Sequence, residues 1–280
     1  MKRSEKRKYH ISLCIMFKDE APYLREWIEY HRMIGVDHFY MYDNLSSDGF
    51  EAVIGPYVEE GVVTLIRWPH EHAQVRGYED CIRRFQGESD WIGFIDVDEF
   101  LVPVEEESLV TFLDRFSRRP SVLVYWRFFG SGGMLRRDVT RLVTEDFVVA
   151  SEKLYTHGKC FFNSNYDYLY GHPKNRTMFH NLWTVSRGIP VPPVNIFDRT
   201  TVRGWHRGGR KIPIQLNHYA IKSFEEHREK DKKGDVYYSY PTHGDDVFYM
   251  RDRRCSVPDY HIFKYLAELK RRMEEREPEK

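Results

Sequence analysis

Apolar residues in the first 130 positions form two kinds of pattern, which alternate along the chain. Short continuous apolar runs predict buried strands, and apolar residues three or four positions apart predict amphipathic helices. The predicted strands are residues 11–17, 37–43, 62–67, 91–95 and 122–127. A helical pattern separates each strand from the next. Strands that alternate with helices in this way predict an α/β fold with a Rossmann-like, doubly wound and mostly parallel sheet.

Individual side chains mark where the predicted helices begin and end. Asp19 can cap the first helix, which has Pro22 in its first turn, and Gly35 can end it. Pro56 lacks a backbone N–H group and is predicted to split the second helix into two turns. Ser108 is expected to cap the helix that follows the fourth strand.

The regular pattern fades after about residue 128. Residues 140–220 are short strand-like pieces that glycine, proline and asparagine interrupt, and helical patterns return at 222–233 and 259–276. Neither part contains a second, independent apolar core. The sequence therefore predicts a single domain over residues 10–270, whose irregular second half covers a site built by the first half.

Both ends of the chain are charged. Residues 1–9 are predicted to be a basic, disordered tail, and residues 271–280 a frayed, charged one. The basic end lacks the apolar stretch of a signal peptide, and no run approaches the roughly 18 apolar residues of a membrane helix. We therefore expect a cytoplasmic protein without an integral membrane segment, whose basic end can at most touch anionic lipid.

Composition narrows the possible partners. Lys plus Arg equals Asp plus Glu, at 43 residues each, so net charge gives no reason to expect a nucleic-acid partner. The four cysteines are far apart in the sequence, so neither a zinc site nor a disulfide framework is expected. Aromatic residues make up 15% of the chain, and aromatic faces can stack on sugar rings, although most aromatics pack in cores.

The most informative chemistry follows the fourth predicted strand, where residues 91–95 lead into Asp96, Asp98 and Glu99. If the strand continues, its alternation puts Asp96 and Asp98 on one face and Glu99 on the other. Two carboxylates at the carboxyl end of such a strand can hold Mg²⁺ or Mn²⁺ that carries a phosphate. The structural alternative is a solvated acidic turn.

Polar residues follow three of the predicted strands, at 18–20, 43–44 and 96–98. Because the carboxyl ends of parallel strands meet at one edge of a sheet, these groups are expected to converge there. This arrangement suits a nucleotide, since one carboxylate can accept from a base or ribose and another can hold the metal on the diphosphate. The spacing does not identify a sugar.

Segments 17–31, 35–49 and 90–100, which contain Tyr42-Asp-Asn44 and Asp96-Val-Asp98, resemble glycosyltransferase family 92 and its bacterial relatives among the family-2-like transferases. The ordered resemblance covers about residues 10–130. A second patch, 216–223, resembles the Asn-His-Tyr signature of the family, with departures at residues 220 and 221. The segment between these two regions matches poorly.

The resemblance implies a GT-A fold and a metal-dependent, inverting transfer of a hexose to a glycan hydroxyl. The donor would be a nucleotide-sugar, UDP-hexose most often, and the cofactor would be Mn²⁺ or Mg²⁺. Residues 10–130 would form the nucleotide-sugar-binding half and residues 131–270 the acceptor half. Galactose is the sugar that the family suggests.

The resemblance also implies roles for individual residues. Asp43 would contact the uracil, and Asp96 would contact the ribose or the metal and its water. Asp98 would ligate the metal directly, with His218 completing the ligand set. Lys222 would neutralise charge on the departing diphosphate. The structural alternatives are that His218 is a structural histidine whose hydrogen bonds are satisfied within the protein, and that Asp43 only caps the turn that follows it.

An inverting transfer needs a general base near the acceptor hydroxyl. Glu145 and Asp146 are the candidates, because they follow a glycine-rich loop and fall where the family has a Glu before an aromatic residue. Glu99 is a further possibility.

Three more residues are candidates for the donor site. Gln74 and Tyr78 open the helix after the third strand and can line the donor pocket, and Lys18 follows the first strand. Helix packing explains Tyr78 equally well.

Two other functional classes use similar residues. A metal-dependent phosphotransferase or nucleotidyltransferase also places Asp-x-Asp after a strand. A non-catalytic carbohydrate-binding protein could use the same cleft, but it would bind glycan without metal and nucleotide. A transferase would need both.

Overall fold

The computed structural model describes residues 6–71, 74–177, 179–201, 211–233 and 244–276. The helices are α1 (Ala21–Met33), α2 (Phe50–Glu59), α3 (Gln74–Phe85), α4 (Leu109–Asp114), α5 (Val143–Asp146), α6 (Phe224–Lys233), α7 (Asp245–Asp252) and α8 (Leu266–Glu275), with 3-10 turns at Pro173–Arg176 and His261–Tyr265. The strands are β1 (Tyr9–Phe17), β2 (His38–Asp43), β3 (Val63–Arg67), β4 (Ser89–Phe94), β5 (Glu99–Pro103), β6 (Ser121–Phe128), β7 (Val149–Ser151), β8 (Gly158–Asn163), β9 (Asp167–Tyr168), β10 (Thr184–Ser186), β11 (Ile189–Val191), β12 (Val194–Asn195), β13 (Ile214–His218) and β14 (Cys255–Pro258).

The largest sheet has the strand order β3-β2-β1-β4-β8-β6-β13-β5, with β12 paired to β6. The first four of these strands are parallel, because each is reached through a helix. Strand β8 is antiparallel to both β4 and β6, and β13 is parallel to β6 but antiparallel to β5. The predicted α/β fold is confirmed, with a mostly parallel, Rossmann-like sheet and an irregular second half.

The link between β4 and β5 forces the sheet to curl. Strand β4 ends at Phe94 and β5 begins at Glu99, yet three strands lie between them in the sheet order. Five residue steps reach at most about 18 Å, whereas four strand spacings of a flat sheet come to about 19 Å. The link also contains a turn, in which the Glu99 N–H donates to the Asp96 carbonyl at 3.1 Å. The sheet therefore bends round until β5 and β13 lie close to the end of β4.

This turn corrects one premise of the sequence analysis. Asp96 and Asp98 do not lie on a continued strand, and Glu99 starts a new one. The alternation that placed Glu99 away from Asp98 is therefore wrong, because the pleat ends at Phe94. All three carboxylates belong to one tight connection.

Helix α1 begins differently from the prediction. Glu20 occupies the N-cap position without a side-chain cap, and Asp19 adopts a left-handed conformation with φ of 52°. The free N–H of Ala21 donates instead to Asp48 at 2.7 Å, so a carboxylate from the next loop satisfies the helix end. The prediction that Asp19 caps this helix is wrong. Gly35, with φ of 107°, follows the last turn as predicted.

Two other helix boundaries can be compared with the sequence. Helix α2 runs through Pro56 without a break, so the predicted split is wrong. The proline removes one N–H donor, but its own carbonyl still accepts from the Glu60 N–H at 3.0 Å. Ser108 caps α4 as predicted and forms a capping box with Thr111.

The buried apolar side chains of both halves form one core. Within the predicted basic tail, residues 1–5 lie outside the described residues, Arg7 pairs with Asp90 at 3.0 Å, and Tyr9 already begins β1. At the other end α8 continues to Glu275, and residues 277–280 lie outside the described residues. Over the described ranges, no helix combines the length and apolar character needed to cross a membrane.

Candidate active site

Asp96 lies at the carboxyl end of β4, where neighbouring elements fix both of its oxygens. One oxygen accepts hydrogen bonds from Gln74 Nε2 at 2.9 Å and from the Tyr78 hydroxyl at 3.2 Å. The other lies 2.9 Å from Lys159 Nζ. The side chain keeps 28% of its surface exposed, so it can still meet a ligand. Two predicted donor-site residues, Gln74 and Tyr78, are thus brought to Asp96, where they hold it in place.

Lys159 is a site residue that the sequence analysis missed. Its side chain is buried on β8, between the core strands β4 and β6. Burial alone would lower the pKa of this ammonium group, but the carboxylates of Asp96 and Glu99 raise it above its usual value. A lysine inside an otherwise apolar strand was the available signal, since lysine is almost never fully buried without a partner.

Asp98 is buried and paired with two cationic or polar groups. Lys230 Nζ on α6 lies 2.6 Å from one of its oxygens, and His218 Nε2 lies 3.6 Å from the other. Burial opposes ionisation of Asp98, but Lys230, His218 and Lys222 together hold its pKa well below its usual range. Asp98 is therefore a carboxylate at neutral pH. Lys230 is a second residue that the sequence analysis missed.

His218 ends β13 and lies between two neighbours in register, Phe128 on β6 and Glu99 on β5. Burial lowers its pKa although the charge of Asp98 opposes this, so the ring is neutral. Its Nδ1 atom is buried without a hydrogen-bond partner among the described residues and lies 3.9 Å from Glu99. A neutral imidazole with a nitrogen aimed at a carboxylate can serve as a metal ligand.

Glu99, which lies 3.9 Å from His218 Nδ1, is fully buried. It accepts hydrogen bonds from Trp126 Nε1 at 2.6 Å and from the Asp96 backbone at 2.9 Å. Burial raises the pKa of Glu99 well above its usual value, and the charges of Asp96 and Asp98 add to this effect although Lys159 opposes it. A buried acid that favours its protonated form holds the turn together and is poorly suited to be a general base.

Asp98 and His218 fit a divalent ion as two of its ligands. Their facing atoms are 3.6 Å apart. Two ligands about 2.1 Å from one ion are separated by about 3 Å if adjacent and about 4 Å if opposite. Asp96 does not join them, because its oxygens face Gln74, Tyr78 and Lys159. Over the ranges that the structure describes, no three His, Cys, Asp or Glu residues form a complete metal site.

Asp43 and Lys18 lie at the same sheet edge, since Phe17 pairs in register with Asp43. One oxygen of Asp43 accepts from the Ser46 N–H at 2.9 Å, and the other pairs with Arg67 at 2.6 Å. The first contact is the turn cap named above as the structural alternative. The predicted contact of Asp43 with uracil stays a prediction, as does the role of the half-buried Lys18.

Lys222 is buried close to the candidate metal ligands. It adopts a left-handed backbone conformation with φ of 49°, and its ammonium lies 4.2 Å from the centre of the Tyr23 ring. Its charge contributes to the low pKa of Asp98. The structure therefore brings Lys222 to the group of Asp98 and His218.

The two predicted bases lie on α5 and are engaged elsewhere. Glu145 pairs with Lys270 at 2.6 Å, and Asp146 pairs with Arg141 at 2.8 Å. Within the described ranges neither carboxylate has a hydrogen bond or ion pair with Asp98 or His218. The structure does not join them to the rest of the site.

Comparisons with known proteins identify the family. The sequence profile of glycosyltransferase family 92 matches residues 7–175. A family 92 protein of Oryza sativa subsp. japonica is 38% identical over 119 residues, which are 42% of this chain and 20% of that protein. The galactan beta-1,4-galactosyltransferase GALS3 of Arabidopsis thaliana is 38% identical over 109 residues, 34% of this chain and 21% of that protein.

A solved structure of S. aureus TarS, residues 1–349, superposes on 55% of this chain and 47% of that one, with a TM-score of 0.37 and 9% identity. The matched segments of the two plant proteins cover only about a fifth of their length. The profile match, in contrast, covers more than half of this chain and includes Asp43, Asp96 and Asp98. The chain belongs to glycosyltransferase family 92.

Proposed function

We propose that this chain is a metal-dependent, inverting glycosyltransferase that moves a hexose from a UDP-sugar to a glycan hydroxyl. One observation carries the proposal. Asp98 and His218 converge to 3.6 Å beside Asp96, at the carboxyl end of the parallel strands of a family 92 chain. Open α/β sheets bind nucleotides at this edge.

The donor is proposed to lie along the ends of β1, β2 and β4. Asp43 has a carboxylate at the end of β2, and its oxygens retain lone pairs for the imide N–H of a uracil. Asp96 is partly exposed and fixed by three neighbours, as a contact for a ribose hydroxyl would require. These two contacts would place the diphosphate towards Asp98.

One metal ion and two lysines are proposed to neutralise the negative charge of the diphosphate. Asp98 and His218 would hold Mn²⁺ or Mg²⁺, which supplies positive charge to the leaving group. Lys222 and Lys230 both act electrostatically on Asp98. They are therefore close enough to the candidate metal ligands to help neutralise the same phosphate oxygens.

Transfer with inversion is a single displacement at the anomeric carbon. The acceptor oxygen forms a bond to that carbon as the bond to the diphosphate breaks, and a base takes the proton of the hydroxyl. Glu145 and Asp146 remain the sequence-based candidates for this base. Glu99 is less suitable, because its burial favours the protonated form.

Galactose is proposed as the transferred sugar. Besides the family resemblance, the support is the likeness to GALS3, whose name is galactan beta-1,4-galactosyltransferase. A β-1,4-galacto-oligosaccharide is therefore the first acceptor to test.

The first experiment is a calorimetric titration with UDP, with and without Mn²⁺, on the wild type and on Asp98→Asn. We expect metal-dependent binding that the substitution abolishes. The matched control is Asp114→Asn, which changes an exposed aspartate on α4 and should bind UDP as the wild type does.

A screen of UDP-sugars with galacto-oligosaccharide acceptors would follow. Absence of UDP binding under both metal conditions would overturn the proposed donor. Phosphoryl transfer from a nucleoside triphosphate would support the phosphotransferase alternative. Glycan binding that needs neither metal nor UDP would support a carbohydrate-binding protein.

A further inference from the structure

Three aromatic side chains form a surface beside His218, which we call the aromatic shelf: Trp126, Phe128 and Tyr155. The rings of Trp126 and Phe128 lie with their centres 4.8 and 5.2 Å from that of His218. The Tyr155 ring lies 5.2 Å from Phe128 and faces Trp126 at 6.3 Å, with an angle of 21° between the planes. The aromatic shelf therefore continues directly from the candidate metal ligand.

The strand pattern explains why these rings share one face. Trp126 and Phe128 are two positions apart on β6, so their side chains point to the same side of the sheet. Phe128 is in register with His218, which puts the histidine on that side as well. The Tyr155 N–H donates to the Trp126 carbonyl at 2.7 Å, and this bond fixes the tyrosine alongside β6.

Contacts with Glu99 and His180 hold the Trp126 ring of the aromatic shelf in place. Trp126 Nε1 donates to the buried Glu99, and the His180 ring packs edge-on against the indole at 4.8 Å. The His180 imidazole in turn makes a 2.7 Å hydrogen bond through Nδ1 with the Gly158 carbonyl. One hydrogen bond and one ring contact therefore fix the orientation of the indole.

Exposure distinguishes this group from the core aromatics. Tyr155 has 41% of its surface exposed, and Trp126 and Phe128 are half-buried. Rings that pack only to stabilise a core are normally buried, as Phe39 and Phe112 are here. A fixed, partly exposed aromatic surface next to polar groups is typical of a ligand-binding site.

We propose that the aromatic shelf binds the acceptor saccharide, with the apolar C–H face of one pyranose ring stacked on Tyr155. This inference rests on the proposed function and adds the acceptor subsite to it. The nucleotide contacts proposed above lie on β1, β2 and β4. Two rings of the aromatic shelf, Trp126 and Phe128, lie on β6, on the far side of β8 in the sheet order, and Tyr155 lies alongside them. An acceptor there approaches Asp98 and His218 from the side opposite the nucleotide.

The proposed stacking on the saccharide uses the ring of Tyr155 and not its hydroxyl. Among the described contacts the tyrosine makes ring contacts with Trp126, Phe128 and His157. Stacking needs the flat face of the ring, so phenylalanine should replace it and alanine should not.

The test compares Tyr155→Ala and Tyr155→Phe with the wild type. Binding of four tetrasaccharides (β-1,4-linked galactose, glucose, mannose and xylose) is measured by saturation-transfer NMR and calorimetry with UDP and Mn²⁺ present. We expect Tyr155→Ala to weaken binding of the best tetrasaccharide by about tenfold and Tyr155→Phe to preserve it. Tyr260→Ala, which removes another exposed tyrosine ring, is the matched control.

The KM values for acceptor and donor show which of the two substrates the aromatic shelf binds. Tyr155→Ala should raise the KM for the acceptor and leave the KM for the UDP-sugar unchanged. A raised donor KM with an unchanged acceptor KM would assign the aromatic shelf to the donor hexose and overturn the proposal. So would unchanged tetrasaccharide binding in Tyr155→Ala, or no binding of any tetrasaccharide by the wild type.

The outcome is independent of the test of the proposed function. Suppose that UDP binding depends on metal and is lost in Asp98→Asn, but that Tyr155→Ala binds the tetrasaccharides as the wild type does. The proposed transferase function would then be supported, and only the acceptor subsite would be rejected. If saccharide binding depends on Tyr155 but UDP does not bind, the aromatic shelf would still be a saccharide site and the transferase function would be rejected.

Discussion

The ammonium group of Lys159 lies 2.9 Å from a carboxylate oxygen of Asp96, and only 1% of the lysine side chain is exposed. The pair joins β8 to the end of β4, where the nucleotide contacts are proposed. Removal of one partner from a buried ion pair leaves an uncompensated charge, which destabilises a protein more than the intact pair stabilises it.

Lys159→Met should therefore lower the free energy of unfolding by about 3 kcal/mol and also weaken UDP binding, because Asp96 loses its fixed position. Urea denaturation and UDP calorimetry measure the two effects. The double variant Lys159→Met with Asp96→Asn removes both charges and should regain part of the stability but not the affinity. Equal losses of stability in the single and double variants would contradict the assigned coupling.

Lys230→Met should strengthen binding of Mn²⁺ in the absence of nucleotide. The Lys230 ammonium lies 2.6 Å from Asp98, so it competes with a metal ion for the same carboxylate. Calorimetry with Mn²⁺ should show an affinity about tenfold higher than that of the wild type. Lys232→Met, which changes an exposed lysine on the same helix, is the control. Unchanged Mn²⁺ affinity in Lys230→Met would show that the two cations do not compete.

Asp43→Asn should weaken UDP binding by about tenfold without unfolding the turn. The amide oxygen can still accept from the Ser46 N–H, but the amide N–H₂ group replaces an acceptor with a donor. Arg67→Met removes the ion pair and keeps the carboxylate, so it should bind UDP more tightly than Asp43→Asn does. If both variants lose the same affinity, the ion pair rather than a uracil contact explains the loss.

His31 should make stability fall as the pH falls below 6.5. Its ring is buried, hydrogen bonded through Nδ1 to the Trp27 carbonyl, and accepts from the Leu101 N–H through Nε2. Burial lowers its pKa to about 3, although the bond to Trp27 opposes this. Between pH 6.5 and about 3 the unfolded state binds a proton that the folded state does not. The free energy of unfolding therefore decreases by about 1.4 kcal/mol per pH unit over this window and is unaffected above it.

Urea denaturation at several pH values measures this slope. His31→Gln removes the titrating group and should reduce the slope by about 1.4 kcal/mol per pH unit. An unchanged slope would mean that other groups, such as the half-buried His180, whose pKa desolvation lowers to about 3, account for the acid sensitivity.

The first four strands could be predicted from the sequence because each contains its own apolar run and is followed by a helix. The same applies to the polar edge formed by Asp43 and Asp96. These features depend on residues that are close in the sequence, so local patterns are sufficient to find them.

The remainder of the site depends on contacts between distant segments. Lys159 reaches Asp96 only because β8 inserts between β4 and β6, and Lys230 reaches Asp98 from α6. Strand order and curvature decide both contacts, and neither leaves a periodic signal. The turn after Phe94 was named above only as the alternative to a continued strand, because a local pattern of alternation does not show where the pairing of β4 ends.

The curl of the sheet has a consequence for the order of assembly during folding. Strand β5 pairs with β13, more than a hundred positions further along the chain, and His218 is the last residue of β13. The parallel strands can therefore form while His218 is still unplaced. A half-folded chain therefore has Asp43 and Asp96 at its sheet edge while His218 is still absent from Asp98. The long-range pairing thus makes completion of the candidate site coincide with completion of the fold.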